Sequence, residues 1–188
     1  PLFDTETRYE ISGEGAIDIR LTVTPLKTDL PPLPRLGWQI RMPGEFAHFT
    51  WYGRGPHENY VDRRESARIG LYHGSVREQT VPYIKPQENG NKTDVHWARV
   101  VNPLGIGLRA EGRPTFETSV SPWTAAELTA AAHFEELPAK DETVFNLDLR
   151  QCGLGSNSCG PGPLAPYLFI VQEPVSFDLL LHPCSAEP

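Results

Sequence analysis

The sequence carries one methionine, three cysteines and no apolar run near the roughly 18 residues a membrane-spanning helix needs. No membrane span is expected. Cys152, Cys159 and Cys184 are too few, and odd in number, to build a disulfide framework. They include no C-x-x-C pair, and a lone His182 before Cys184 makes no ligand set, so a zinc site is poorly served. Positive charge is also short. Seventeen Lys and Arg face 24 Asp and Glu, a net charge of −7. This leaves no basic footprint for nucleic acid and no polybasic membrane patch. The acids are dispersed along the chain, which reads as solubility rather than as an acidic tail. His48, His57, His73, His96, His133 and His182 are never spaced as H-x-H or H-E-x-x-H. Phosphate-loop and nucleophile-elbow patterns are missing too, so no cofactor or metal is expected in these residues.

What the sequence does hold is punctuation. Nineteen prolines and 16 glycines fall at short intervals over 188 residues, favouring turns and strands over long helices. Hydrophobic content of 39% is enough for one core, and neither repeat nor linker divides the chain, so 1–188 reads as one domain. Apolar residues at every second position over 17–23 indicate a strand with one wet face. With Arg8 to Ile11 and the turn Ser12-Gly13-Glu14-Gly15 it forms a hairpin. Alternation resumes over 38–42 and 46–52, and further strands are expected at 95–101, 104–110, 114–120, 144–150, 167–172 and 175–181. Pro31-Pro32-Leu33-Pro34 is a stiff extended turn, and Glu88-Asn89-Gly90-Asn91 carries an Asn-Gly turn signal. Thr124-Ala125-Ala126-Glu127 fits a capping box opening one helix, which continues from Leu128 to His133 and is closed by Pro138. The fold class is all-β and antiparallel, with one short helix.

The densest chemistry lies in Trp51-Tyr52-Gly53-Arg54-Gly55-Pro56-His57-Glu58-Asn59-Tyr60-Val61-Asp62-Arg63. Thirteen residues hold three aromatics, two glycines, a proline and five ionisable side chains. His57 beside Glu58 could work as a general acid and base. The simpler reading is that Glu58, Asp62, Arg63 and Arg64 make ion pairs and turn hydrogen bonds that fix a loop, since neighbours on an extended chain point to opposite faces. Gly153 to Pro161 is a small-residue loop able to hydrogen-bond a polar ligand, but no helix and no Lys or Arg follows it to cradle phosphate. Cys159 has no histidine near in sequence to activate it as a nucleophile. Trp38, Trp51, Trp97 and Trp123 could be sugar platforms, but in a β-sandwich they are more often core.

Gly53 to Arg63 resembles the G-x-G-P-x-E-N-Y-P-D-R signature of the C-terminal, small-chain domain of large bacterial β-galactosidases of glycoside hydrolase family two. Four further stretches match in order: Leu33 to Gly37, Pro82 to Asn91, Glu127 to His133, and Gly153-Leu154-Gly155 leading to Cys159-Gly160-Pro161. The resemblance implies an antiparallel β-supersandwich similar to the galactose mutarotase fold. It implies a parent enzyme that hydrolyses terminal β-galactosides with retention, with its two glutamates in a separate TIM-barrel domain of the same polypeptide. The parent is expected to be a homo-oligomer, with any Mg or Na ion held outside this domain. Catalytic residues here are none. Asn157, Ser158 and Cys159 are the expected rim of the substrate pocket. Gly55, Pro56, His57, Glu58, Asn59, Tyr60, Asp62, Arg63, Glu88, Asn89 and Gly90 are the expected structural signature.

Two departures from the family pattern stand out. Cys159 occupies a place where some relatives carry a tryptophan that stacks on substrate, and a thiol has no flat face to offer. Val61 replaces the usual proline, which changes loop stiffness. The chain opens with Pro1 and shows no secretory segment, so a piece of a longer cytoplasmic polypeptide is expected. The alternatives are a free-standing carbohydrate-binding module or an aldose epimerase. The epimerase would need a histidine acid and a carboxylate base to converge, with His57 and Glu58 or Glu88 and His96 as the nearest candidates.

Overall fold

The computed structural model describes residues 1–155 and 160–184. Among the described residues, nine antiparallel strands run β1 (Phe3–Ile11), β2 (Ile17–Pro25), β3 (Arg35–Pro43), β4 (His48–Gly55), β5 (Arg68–Ser75), β6 (Lys92–Val101), β7 (Gly107–Ser121), β8 (Glu142–Gln151) and β9 (Val175–Cys184), with one helix, α1 (Ala125–Ala130). The main path is β1-β2-β9-β7-β6-β4-β5, and β3 and β8 leave it as a branch. The fold is all-β, as its punctuation and alternation indicate.

Strand β7 creates the branch. Its first half, Gly107 to Arg113, lies between β9 and β6. Its second half, Glu117 to Ser121, exchanges β9 for β8. The exchange falls at Pro114, which has no N–H to give a ladder, and the β6–β7 register shifts nearby, between Val95 and Trp97. The two expected strands 104–110 and 114–120 are therefore one bent strand, and Leu104 and Gly105 belong to the preceding turn. The β8–β3 pair turns back over the main sheet, and the space between the two layers is the core. Ile19, Leu21 and Val23 enter it from β2, Phe49 and Trp51 from β4, Phe145 and Leu147 from β8, and Phe177 and Leu179 from β9. Arg20, between Ile19 and Leu21, points to solvent, as period-two alternation requires. Aromatic contacts cross the gap: Trp38 meets Phe177 at 5.1 Å and Phe49 meets Phe145 edge-on at 6.3 Å.

Three expectations need correction. The apolar run 167–172 is not a strand. Ala165–Tyr167 is a 3-10 turn, and the residues after it reach the segment Pro31-Pro32-Leu33-Pro34 through the Leu33 N–H on the Phe169 carbonyl at 2.7 Å. Three of those four facing residues are prolines and donate nothing, so no ladder forms, although Phe169 and Val171 are buried. Helix α1 stops at Ala130 rather than His133, and a separate 3-10 turn, Phe134–Glu136, follows. Its capping box is as expected, with Thr124 and Glu127 reciprocally bonded. Strand β5 escaped the sequence reading because Gly70 and Gly74 dilute it and because it is an edge strand, with Ile69 and Leu71 exposed.

Phe145 is fully buried where the two layers meet. Phe145→Ala should lower unfolding free energy by about 3–5 kcal/mol, whereas Leu71→Ala on the exposed edge should change it by less than about 0.5 kcal/mol. Urea unfolding of both variants checks the assignment of core and surface, and equal losses would contradict it.

Candidate functional site

The end of β4 delivers the signature residues to one corner of the fold. Gly55 closes the strand where an added Cβ would lie 2.8 Å from the Tyr72 ring and 2.9 Å from that of Trp51. Pro56 and His57 then turn outward and are exposed. His57 faces Ser66, with Nε2 3.0 Å from the hydroxyl. Glu58 points the other way and gathers four donors. Its Oε1 accepts from Arg63 and from the Tyr83 hydroxyl, and its Oε2 accepts from the Gly90 N–H at 2.8 Å and from the Tyr60 hydroxyl at 3.4 Å. Asn59 has no exposure. Its Oδ1 accepts from the Thr93 N–H at 2.9 Å and hydroxyl at 2.6 Å, its Nδ2 donates to the His57 carbonyl at 3.0 Å, and its backbone exchanges bonds with Asn91.

Tyr60 is buried, and burial, followed by the charge of Glu58, pushes its phenol well above the ordinary range. The Arg63 guanidinium covers the ring at 5.0 Å. Tyr60 and Arg63 also exchange backbone bonds, which makes Val61 and Asp62 the tip of a two-residue turn. Two expected signature stretches therefore meet: 55–63 lies against 83–91. Asn89 holds this second stretch by accepting from the Val81 N–H at 2.9 Å and donating to the Gln87 carbonyl at 2.9 Å. Gly90 has φ +79°, and a Cβ there would stand 2.6 Å from the Gln79 carbonyl oxygen, so no side chain fits beside the Glu58 contact.

A second polar group underlies this corner and was missed from sequence. Asp148 on β8 is buried and takes Arg35 on both oxygens, Nε to Oδ1 at 3.1 Å and Nη2 to Oδ2 at 2.5 Å. Arg35 also pairs with Glu88. Gln151 donates to Asp148 at 3.2 Å and to Asn91 at 3.2 Å, and Asn91 donates to Glu117 at 2.8 Å. Burial lifts Asp148 to about 6 in spite of Arg35, and with two guanidinium bonds it is ionised at neutral pH. Burial lifts Glu117 to about 7. Lys92 is buried too, brought down to about 8 by desolvation in spite of Glu58, with Nζ on the Gly90 carbonyl at 2.9 Å and 5.1 Å from the Trp51 ring. No sequence signal marks them as buried: Asp148 alternates with Leu147 and Leu149, and Glu117 follows Phe116 ahead of Thr118 and Ser119, a pattern that reads as the wet face of a strand.

Above this group lies a cleft of about 480 Å³, lined by Pro32, Leu33, Pro34, Arg35, Tyr60, Glu88, Gln151, Cys152, Gly153, Leu154, Pro163 and Leu168. A neighbouring hollow of about 250 Å³ shares Tyr60, Glu88 and Leu154 with it and adds Arg63, Tyr83, Gln87 and Gly155. Together they form a groove bordered by the first residues of the 153–161 loop. Asn157, Ser158 and Cys159, the expected rim residues, lie outside the described residues. Among the described residues no three His, Cys, Asp or Glu side chains are placed to hold a metal ion, and no helix is long and apolar enough to cross a membrane.

The chain is similar along almost all of its length to known proteins. The family described as "Beta galactosidase small chain" matches residues 1–181. A beta-galactosidase of Priestia megaterium is 42% identical over 149 residues, which is 79% of this chain and 14% of the relative. One from Vibrio cholerae is 36% identical over 185 residues, 98% of this chain and 17% of the relative. One from Actinobacillus pleuropneumoniae is 33% identical over 176 residues, 93% of this chain and 17% of the relative. The chain thus spans about one sixth of the length of these relatives.

The roles assigned to Asn59 and His57 separate in a melt. Asn59→Ala leaves buried donors unpaired and should lower stability by about 2–4 kcal/mol, while His57→Ala on the surface should cost less than about 0.5 kcal/mol. A reversed order in denaturant unfolding contradicts the structural reading of the signature. Glu117 gives a second prediction. Its folded-state value, about 7, stands above the 4.5 of a free glutamate. The folded chain therefore holds a proton that the unfolded chain releases, and Glu117's contribution falls as pH rises through that window. Glu117→Gln should match the parent chain near pH 4 and exceed its stability at pH 8 by about 2–3 kcal/mol. Unfolding curves that differ by the same amount at both pH values would refute this.

Proposed function

The chain belongs to the beta-galactosidase small-chain family, and we propose that it is the non-catalytic domain of a longer β-galactosidase, closing one wall of the active-site pocket and supporting assembly of the enzyme. The observation that carries this reading is the occupancy of its acids. Retaining glycoside hydrolysis needs two carboxyl groups about 5–5.5 Å apart with a sugar between them. Glu58 is bonded to Arg63, Tyr83, Tyr60 and the Gly90 amide, and Asp148 to Arg35 and Gln151. Glu117 is bonded to Asn91 inside the fold. Glu117 and Asp148 are buried, and Glu58 is taken up by four donors, so the bond-breaking glutamates are assigned to another part of the polypeptide, a TIM barrel. The groove supports the wall: its border is the start of the small-residue loop, and Arg35, Glu88 and Gln151 give it a polar floor.

The remaining assignments follow from the same reading. The 188 residues act as one domain, β-galactosides are the substrate of the whole enzyme, and the whole enzyme is a homo-oligomer. Any Mg or Na ion that it uses is bound outside this domain. A cytoplasmic setting belongs to the same reading, with Cys152 and Cys184 unbridged among the described residues. The polar groove also favours a second reading, a carbohydrate-binding module that holds sugar unaided. The epimerase reading has no such support, because His57 is turned to Ser66 and Glu58 to Tyr83, while Glu88 pairs with Arg35 and His96 stacks on Tyr52 at 5.2 Å.

The isolated chain should give no turnover of a chromogenic β-galactoside, and measurable hydrolysis above buffer would overturn the proposal. Galactose titration by NMR separates the two readings. Shifts confined to the groove residues at tens of millimolar sugar or below support independent binding, and an unchanged spectrum supports a wall that works only in the assembled enzyme.

A further inference from the structure

We infer that Asp62 is a positioning residue for the β-galactosidase pocket: its carboxylate clamps the 153–155 limb and so sets the edge of the groove that this limb lines. The inference deepens the function proposed above and rests on that reading of the loop as pocket wall.

The geometry begins with the turn that carries Asp62. Tyr60 and Arg63 close it with reciprocal backbone bonds, the Arg63 N–H on the Tyr60 carbonyl at 2.9 Å and the Tyr60 N–H on the Arg63 carbonyl at 3.4 Å. Tyr60 is buried beneath it, and Arg63 is tied to Glu58. A carboxylate at the tip of such a turn has a fixed origin. Its Oδ2 accepts the Gly155 N–H at 2.7 Å across 93 residues of sequence. A charged acceptor on a backbone N–H is among the stronger hydrogen bonds available.

The loop base is shaped to receive it. A Cβ on Gly153 would stand 3.0 Å from the Asp62 carboxyl carbon and 2.8 Å from the Tyr167 Cβ, so the backbone there passes directly between the two side chains. Gly153 also donates to the Tyr167 carbonyl at 2.8 Å, and Cys152 to the Pro34 carbonyl at 2.9 Å. Gly155 has φ +58°, and a Cβ on it would stand 2.6 Å from the Gly162 carbonyl carbon and the Pro163 nitrogen, so the outgoing and returning limbs touch. Leu154 and Gly155 line the groove. Asp62 thus holds the limb that forms the groove's edge, and the Glu58 corner holds Asp62. The consequence for the enzyme is in binding: a loop base free to drift loosens the wall against substrate without touching the groups that break the bond.

The test uses the full-length enzyme that carries this chain. Asp62→Ala should raise KM for a β-galactoside by about tenfold with kcat within about twofold. Asp62→Asn keeps an oxygen for the Gly155 N–H and should restore KM to within about threefold of the parent. Hydrogen exchange at the Gly155 amide should speed up in Asp62→Ala and return toward the parent rate in Asp62→Asn. A variant in which residues 156–160 are replaced by two glycines tests the underlying reading. If shortening raises KM and Asp62→Ala does not, the clamp is wrong and the wall stands. If shortening leaves KM unchanged, the wall reading itself fails. Equal damage by Ala and Asn to KM, kcat and melting temperature assigns Asp62 a merely structural role and overturns the inference.

Discussion

The carboxylate of Glu58 is the contact on which this corner of the molecule depends. Four donors reach it from the end of the β4 connection, from the turn at Tyr60–Arg63, from Tyr83 and from the Gly90 amide. Each comes from irregular backbone, which has no ladder of its own to fix it, so side-chain hydrogen bonds must do so. The direction of Glu58 also explains why its neighbour is free. His57 points to the opposite side and finds only Ser66. What reads in sequence as an acid and base side by side is one half-buried organiser and one surface residue.

Beneath it, a line of polar groups links the neighbouring strands β3, β8, β7 and β6. Arg35 opens β3 and Asp148 lies near the end of β8, so their ion pair closes the short branch of the sheet, while Gln151, Asn91 and Glu117 carry the connection to β6 and β7. A buried pair of this kind contributes less to stability than to a particular arrangement, because desolvation offsets most of its Coulombic gain. Here the arrangement it selects places the Pro32–Arg35 segment beside the Gly153 backbone, which is the separation that defines the groove. The same group raises two carboxyls, a feature often found at active sites, but in positions closed to a sugar.

Most of the fold could be read from the sequence. The alternation at Ile17 to Val23 gave β2 with its buried face, Thr124 and Glu127 gave the helix cap, and the punctuation by proline and glycine gave the all-β class. The strand errors share one cause, which is that a strand is defined by its neighbours. Residues 168–172 have strand-like side chains but face prolines, and β5 has two glycines but a willing partner in β4. For the site, the motifs were visible as five separate stretches, and only the three-dimensional contacts showed that Asn59 serves Thr93, that Glu58 serves Gly90, and that Asp62 reaches Gly155. The expected rim residues Asn157, Ser158 and Cys159 lie outside the described residues.

The picture that results is a small-chain fold in which Glu58, Glu117 and Asp148 are held by neighbouring groups and Asp62 meets the start of the loop that borders the groove. Its family signature is a joint between that loop and the sandwich. The most direct measurement of this account is covalent trapping of the full-length enzyme with a 2-fluoro-galactoside, followed by peptide mapping of the labelled carboxylate. The account predicts that the label falls on a glutamate outside residues 1–188, and a label on Glu58, Glu117 or Asp148 would contradict it.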